Sequence, residues 1–181
     1  MLISPAEAAY QVVTPGADAT VSLTTIASAV DRSHNMANIR AMVVGDTVVA
    51  VTNAQAPEPA AWEAYLKVLK EHLDRRAGQP GRLVVFGGGG TPNSAMRLQL
   101  KDAVAKRPIL TAFVTDSLVV RGVISVIALF LDGTKPFPVK DWKDGLQYAG
   151  FPMDRMGELN SVLKKLDAEV GGSPALSNEM M

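Results

Sequence analysis

The sequence contains no cysteine among its 181 residues. Disulfide bonds, thiol catalysis and cysteine-liganded metal sites are therefore excluded, and the absence is typical of a cytoplasmic protein. An excess of one charge is also lacking, since 18 Lys and Arg residues balance 18 Asp and Glu residues. Because nonspecific binding of nucleic acid needs a positive field, we expect no nucleic-acid partner.

Long apolar stretches are absent as well. The longest run, residues 118–131, is interrupted by Arg121, Gly122 and Ser125. It falls short of the roughly 18 to 20 residues that a membrane span needs. The first residues have neither the basic stretch nor the apolar core of a signal peptide. We therefore expect a cytoplasmic protein without a membrane span.

Residues suited to catalysis are scarce. The sequence has two histidines, His34 and His72, and the charged neighbours of the second favour an exposed position on a helix. No Ser-His-Asp arrangement, paired-carboxylate spacing or metal-binding cluster is evident. We predict no catalytic residue, no metal site and no cofactor, and hence a protein that is not an enzyme.

The chain does contain enough apolar sequence for one folded domain. Apolar residues make up 48% and charged residues 20%, which is normal for a globular protein. Residues 1–35 are rich in Ala, Thr and Ser and predict an extension that is partly disordered or binds a partner. The domain is expected at 36–170, and the breakers Gly171-Gly172-Ser173-Pro174 begin a flexible tail, 171–181.

Strands and helices alternate through this domain. Strands are predicted at 39–44, 47–51, 83–86 and 109–114, with a short edge strand at 135–139. Apolar residues at three- and four-residue steps predict helices after Pro59, after the glycines at 87–90, and at 118–131, 141–148 and 153–170. The order predicts an α/β fold: a mixed sheet of about five strands with helices packed over it.

The most informative segment is the run Phe-Gly-Gly-Gly-Gly-Thr-Pro-Asn-Ser at 86–94. Its glycines permit positive φ and a close approach of the backbone, and Thr91-Pro92 predicts an N-cap and first helical residue. The run lacks the Gly-Lys-Ser/Thr ending of a P-loop and an acidic residue placed for a dinucleotide. Two interpretations stay open: a loop that binds an anion or a partner, and a tight turn between strand and helix.

A second polar loop follows the next strand. Asp116 and Ser117 fit a helix cap, and both loops should lie at the carboxyl edge of the sheet, where α/β sheets bind ligands. Arg121 would either bind an anion held by the glycine loop or pair with a carboxylate such as Asp116.

The helix predicted from residue 118 is apolar nearly all round. Such a helix is either central to the core or covered by another subunit. We expect it to form a homodimer interface, with Val119, Val123, Ile127 and Phe130 in contact with the second copy.

A family resemblance rests on residues 40–53, 83–97 and 114–122, and on the Phe137 segment that leads to 146–150. From about His34 to Leu166 the chain resembles the STAS/SEC14-like group, which shares the α/β fold of SpoIIAA-type anti-anti-sigma factors. It is similar to small bacterial proteins described as STAS/SEC14 domain-containing.

The resemblance implies a regulatory module. In STAS proteins the loop after the third strand carries an Asp-Ser pair, whose serine is phosphorylated to switch partner binding. The corresponding residues here are Gly87, Gly88, Gly89, Gly90 and Thr91 to Ser94, without that pair. Thr91 or Ser94 would have to accept the phosphate, since Asp116-Ser117 follows one strand too late.

Together these features predict a noncatalytic regulatory or protein-interaction module. It would dock through its strand-end loops and its apolar helix onto a protein partner of unknown identity, and onto a second copy of itself as a homo-oligomer. The alternative is a small-ligand protein that binds a nucleotide, a phosphate or a lipid through the glycine-rich loop.

Overall fold

The computed structural model of the protein describes residues 37–76, 78–105, 107–129, 131–176 and 180. The predicted extension, residues 1–35, lies outside this range. None of the helices in the described part of the chain has the length and apolar character needed to cross a membrane.

Five strands form a single sheet: β1 (Ile39–Val44), β2 (Thr47–Thr52), β3 (Gly81–Gly87), β4 (Ile109–Val114) and β5 (Thr134–Phe137). They lie in the order β1-β2-β3-β4-β5. β1 and β2 form the predicted antiparallel hairpin, and the pairs from β2 to β5 are parallel. The predicted mixed five-stranded α/β fold is confirmed.

In the described part of the chain, five α-helices pack around the sheet: α1 (Pro59–Arg75), α2 (Ser94–Val104), α3 (Leu118–Ala128), α4 (Trp142–Tyr148) and α5 (Met156–Val170). Single-turn 3-10 helices precede the last two, at Val139–Asp141 and Met153–Arg155. Because α1, α2 and α3 each connect neighbouring parallel strands, right-handed crossovers place all three on one face. α4 and α5 cover the other face.

The sheet is therefore buried on both sides, and β2 shows this most clearly. Every residue of β2 is buried. Val48 and Ala50 belong to a core shared with α1, α2 and the inner side of α3. Val49 and Val51 belong to a second core shared with α4 and α5. This explains why the central strands are continuous apolar runs instead of alternating ones.

The described residues after α5 pack against the domain. Gly171 ends α5 in a left-handed conformation, with φ of 75°. Ser173 then donates a hydrogen bond from Oγ to the Thr52 carbonyl oxygen at 2.7 Å, and Ala175 and Met180 are each 2% exposed. The segment predicted as a flexible tail thus contributes side chains to the second core.

His72 lies in the core, so its predicted surface position is wrong. It is 2% exposed, because it follows Leu69 by three residues along the apolar stripe of α1. Burial lowers the pKa of His72, and the charge of Arg76 lowers that pKa further.

Arg76 and Arg82 donate to Asp46 Oδ2 at 2.8 and 2.7 Å. Burial alone would raise the pKa of Asp46, but these two arginines hold it below its usual value.

Replacing His72 with leucine should reduce the loss of stability on acidification. The folded protein binds a proton at His72 less readily than the unfolded chain, whose histidine titrates near 6.5. As pH falls below about 6.5, His72 therefore lowers the free energy of unfolding, by at most about 1.4 kcal/mol per pH unit. Urea unfolding at pH 7.5 and pH 5.5 should show a smaller difference for His72→Leu than for wild type. Equal differences for the two proteins would contradict a buried, neutral His72. Asp46 stays ionised between pH 5.5 and pH 7.5 in both proteins, so it does not contribute to the comparison.

Candidate functional site

Two loops lie side by side at the carboxyl edge of the sheet, after neighbouring parallel strands. Residues 88–93 follow β3, and residues 115–117 follow the neighbouring β4. A Cβ atom built on Gly87 would lie 3.7 Å from Thr115 Cβ and 3.7 Å from Val120 Cγ1. The glycine-rich loop therefore adjoins both the second loop and the first turn of α3, as the parallel strand order leads one to expect.

The glycines allow two backbones to approach closely. Gly88 N–H donates to Thr52 O at 3.0 Å and lies 3.1 Å from Thr52 Oγ1, and Gly90 N–H donates to Asn53 O at 3.2 Å. A Cβ atom on Gly88 would lie 2.6 Å from Thr52 O, and one on Gly90 would overlap the carbonyl oxygen of Gln55. Gly89 has φ of 123°. The close-packing interpretation thus accounts for these glycines, and two of the loop's N–H groups are already bonded.

α2 begins later than the sequence predicts. Its N-cap is Asn93, whose Oδ1 accepts from the Met96 N–H at 3.0 Å, so the predicted cap at Thr91 is wrong by two residues. Asn93 replaces it because its short amide side chain reaches the N–H group three residues on. Ser94 is exposed in the first turn of α2, where its Oγ accepts from Arg97 Nη2 at 3.0 Å.

The second loop is held by polar contacts within the domain. Ser117 caps α3 as predicted, since its Oγ accepts from the Val120 N–H at 3.3 Å. Asp116 Oδ1 accepts from the Val139 N–H at 2.9 Å, which ties this loop to the segment after β5. Of the two alternatives for Arg121, the structure shows pairing with the carboxylate. Its Nη2 lies 3.8 Å from Asp116 Oδ1 and also donates to the Thr115 carbonyl oxygen at 3.3 Å.

α3 is apolar on both its sides. Its inner side places Val120, Ile124 and Ile127 in the core. Its exposed side, which we call the α3 outer face, consists of Leu118, Val119, Gly122, Ser125, Val126 and Leu129. None of these six residues is charged. Leu118 is 79% exposed, Val119 71%, Val126 50% and Leu129 85%.

The predicted interface residues are divided between these two sides. Val119 lies on the α3 outer face, whereas Val123 is half-buried. Ile127 is 2% exposed and packs in the core, so its predicted place on the surface is wrong. Phe130 lies outside the described residues. The helical spacing identified the apolar helix but could not tell its inner side from its outer side, because both are apolar.

A small apolar cavity lies beneath α3. It has a volume of about 50 Å³ and is bounded by α1, α2, α3, the sheet and the glycine-rich loop. Trp62 and Tyr65 of α1 line it, as do Gly90, Thr91 and Pro92 at the carboxyl edge. Burial raises the pKa of Tyr65. No sequence signal pointed to this cavity, since its lining residues come from four strands, three helices and the loops between them and are spaced like ordinary core residues.

No protein-family model matches the chain, and comparison with curated proteins and with solved structures likewise gave no match. In the part of the chain that the structure describes, no group of three or more His, Asp or Glu residues is placed to hold a metal ion. The function is therefore argued from the carboxyl edge, the α3 outer face and the cavity themselves.

Replacing Gly90 with alanine should destabilise the fold, because the added methyl group would overlap the Gln55 carbonyl oxygen. We expect a loss of about 1–3 kcal/mol in the free energy of unfolding, measured by urea denaturation. Gly157→Ala is the matched control: its Cβ meets nothing within 4 Å in the first turn of α5, so stability should stay the same or rise by up to about 1 kcal/mol. A neutral Gly90→Ala would show that the loop does not need the close approach.

Proposed function

We propose that this protein is a noncatalytic, regulatory protein-interaction module of STAS-like type, which docks through the α3 outer face and the two loops beside it. The observation that carries the proposal is the α3 outer face itself. Leu118, Val119 and Val126 of α3 and Leu129 at its C-cap are at least half exposed. The other two residues of this face are uncharged, and the half-exposed Arg121 is held beside it by the Thr115 carbonyl oxygen. Contiguous exposed apolar surface of this kind marks interaction sites in soluble proteins.

A second copy of the chain is the partner that these properties favour. A two-fold interface brings the same patch of both subunits together, and the uncharged α3 outer face can meet itself without repulsion. The whole chain has no net charge, with 18 positive and 18 negative residues, so two copies do not repel each other at long range.

The adjoining loops would have to take part in this interface. Stable interfaces bury about 800 Å² on each partner, which is more than one side of an eleven-residue helix supplies. The loop that contains Asp116 leads directly into α3, and Gly87, the last residue of β3 before the glycine-rich loop, lies beside the first turn of α3 near Val120. The docking surface therefore extends from the α3 outer face over both loops.

Ser94 is the residue better placed for a phosphate switch. Ser94 is exposed, whereas Thr91 is half-buried and lines the cavity. A phosphate on Ser94 would lie at the N-terminus of α2 beside Arg97, and both features stabilise negative charge. Modification there would add charge at the edge of the docking surface.

The alternative, a nucleotide, phosphate or lipid bound by the glycine-rich loop, has less support. The N–H groups of Gly88 and Gly90 are bonded to carbonyl oxygens. Pockets for ligands of that size have volumes of roughly 300–1,000 Å³, whereas the cavity beside the loop measures about 50 Å³.

Charged substitutions on the α3 outer face should weaken self-association. We expect Val119→Glu and Leu129→Glu each to raise the dimer dissociation constant about tenfold to a hundredfold, because burying such a side chain contributes roughly 1.5–3 kcal/mol. Sedimentation velocity over a concentration series of the full chain measures this change.

Met153→Glu is the matched control for these variants. Met153 is 38% exposed but lies in the turn before α5, on the opposite face of the sheet, so its substitution should leave association unchanged. Thermal unfolding should be close to wild type for all three variants, since the altered side chains are exposed. A wild-type chain that stays monomeric at every concentration would disprove self-association.

Negative charge at Ser94 should also weaken the dimer. Ser94→Asp places a charge at the edge of the docking surface on both subunits, and we expect an increase of about tenfold in the dissociation constant. The control is Ser94→Asn: asparagine has nearly the same size as aspartate but no charge, so this variant should behave like wild type. Mass spectrometry of the protein from its own cells should find phosphate on Ser94 and not on Thr91. Failure to find phosphate on either residue would dispose of the switch but not of the interface.

A further inference from the structure

β1 has one row of backbone hydrogen-bonding groups that no described residue pairs. β1 is the first strand of the sheet and pairs with β2 alone. Asn53 N–H donates to Asn38 O at 3.2 Å, so Asn38 and every second residue after it bond to β2. Because bonding alternates along an antiparallel pair, the N–H and C=O groups of Ile39, Ala41 and Val43 point away from the sheet. No described residue bonds to these groups, which we call the β1 edge.

The two edges of the sheet differ in their protection against a further strand. β5, at the other edge, is four residues long, and its exposed Lys135 and Pro136 are typical means of preventing edge pairing. β1 has six residues, contains neither proline nor glycine, and pairs with β2 without a bulge. Ala41, Met42 and Val43 are half-buried. Since regular edge strands without such protection are templates for other strands, the β1 edge has the properties of a strand-docking site.

The charge pattern of β1 favours a second copy of the same strand as the partner. Its one charged residue is Arg40. In a two-fold antiparallel pairing centred on Ala41, the bonded pairs are Ala41 with Ala41 and Ile39 with Val43. Arg40 then lies opposite Met42 of the second copy, so no like charges face each other. β1 can therefore pair with itself.

We propose that two copies of the protein pair through their β1 edges, antiparallel about Ala41, so that their two sheets become one continuous sheet. Main-chain hydrogen bonds would supply the affinity. β1 and β5 lie at opposite ends of the strand order, and α3 contacts β5. This interface is therefore separate from the α3 outer face and does not depend on it. With both interfaces, each chain has two two-fold surfaces and assembly continues beyond a dimer.

Amide hydrogen exchange of the full chain, followed by NMR, tests the proposal in the wild-type protein. The N–H groups of Ile39, Ala41 and Val43 should exchange more slowly as concentration rises. We expect a change of up to about tenfold over about a hundredfold range, because the monomer fraction of a populated dimer falls with the square root of concentration. Arg40 and Met42 are internal controls, since β2 protects their N–H groups at every concentration.

Two results of this experiment would overturn the proposal. One is fast exchange of the three outward amides at every concentration, which would show that the β1 edge stays free. The other is protection that does not change with concentration, which would assign the edge to another part of the same chain.

Leu129→Glu distinguishes this interface from the α3 outer face. The variant should keep the concentration dependence at β1, because residue 129 lies at the C-cap of α3. Loss of that dependence in Leu129→Glu would attribute it to α3 and contradict pairing through β1. If sedimentation shows no effect of Leu129→Glu while the β1 amides still respond, the α3 interface is wrong and the β1 interface stands.

Ala41→Pro removes the central outward N–H group without removing a bond to β2. It should abolish the concentration dependence at Ile39 and Val43 and raise the dissociation constant of this interface at least about tenfold. Ala41→Ser is the matched control: it keeps the N–H group and a small side chain, and should behave like wild type. Continued protection of Arg40 and Met42 shows that each variant is folded. A folded Ala41→Pro with wild-type association through β1 would exclude the pairing.

Charge at Met42 tests the register of the two strands. Met42→Glu places a carboxylate opposite Arg40 of the second copy and should tighten association about two- to fivefold, whereas Met42→Lys should weaken it by a similar factor. The concentration dependence of the Ala41 amide measures both changes. Equal effects of the two variants would overturn the pairing centred on Ala41.

Discussion

The carboxyl edge of this protein depends on the close approach of two backbone segments, those that follow β2 and β3. Gly88 and Gly90 donate to the carbonyl oxygens of Thr52 and Asn53, and only residues without a Cβ atom fit at this distance. These bonds fix the course of the glycine-rich loop towards α2, beside the end of β3 that adjoins Thr115 and the first turn of α3. The cavity wall and the adjoining part of the docking surface both follow from this one constraint.

The sequence of α3 makes both the inner side and the outer face of the helix apolar. Its inner side must bury Val120, Ile124 and Ile127 against the sheet, while its outer face stays apolar without any cover from the described residues. The large apolar side chains of the outer face are at least half exposed and so add little to the core of a single chain. The cavity beneath the helix further indicates that its inner side is not packed to the density of a protein interior. The proposed docking role would account for this outer face, which packing within the described residues does not explain.

The fold could be predicted from the sequence because its signals are local. Apolar runs and helical spacing identified the five strands and five helices of the described residues, and the order of these elements implied the mixed sheet. The errors arose at residues whose position or burial is determined by tertiary contacts. Asn93 replaced Thr91 as the cap, His72 proved to be part of an apolar stripe despite its charged neighbours, and Ile127 turned inward. The cavity could not be predicted at all, because its lining comes together only when three helices have packed on the sheet.

The two ends of the sheet differ in chemistry, and this difference bears on the proposed switch at Ser94. At the amino end, Asp46 joins Arg76 and Arg82 in a partly buried ionic cluster beside His72, which stabilises the hairpin and the end of α1. At the carboxyl end the polar side chains are loop and cap residues such as Ser94 and Asp116, on or near the surface. Ser94 and the ionic cluster thus lie at opposite edges of one sheet, so a charge added at Ser94 should leave the cluster undisturbed. The fold itself depends on both edges, through the ionic cluster at one and the close approach at Gly88 and Gly90 at the other.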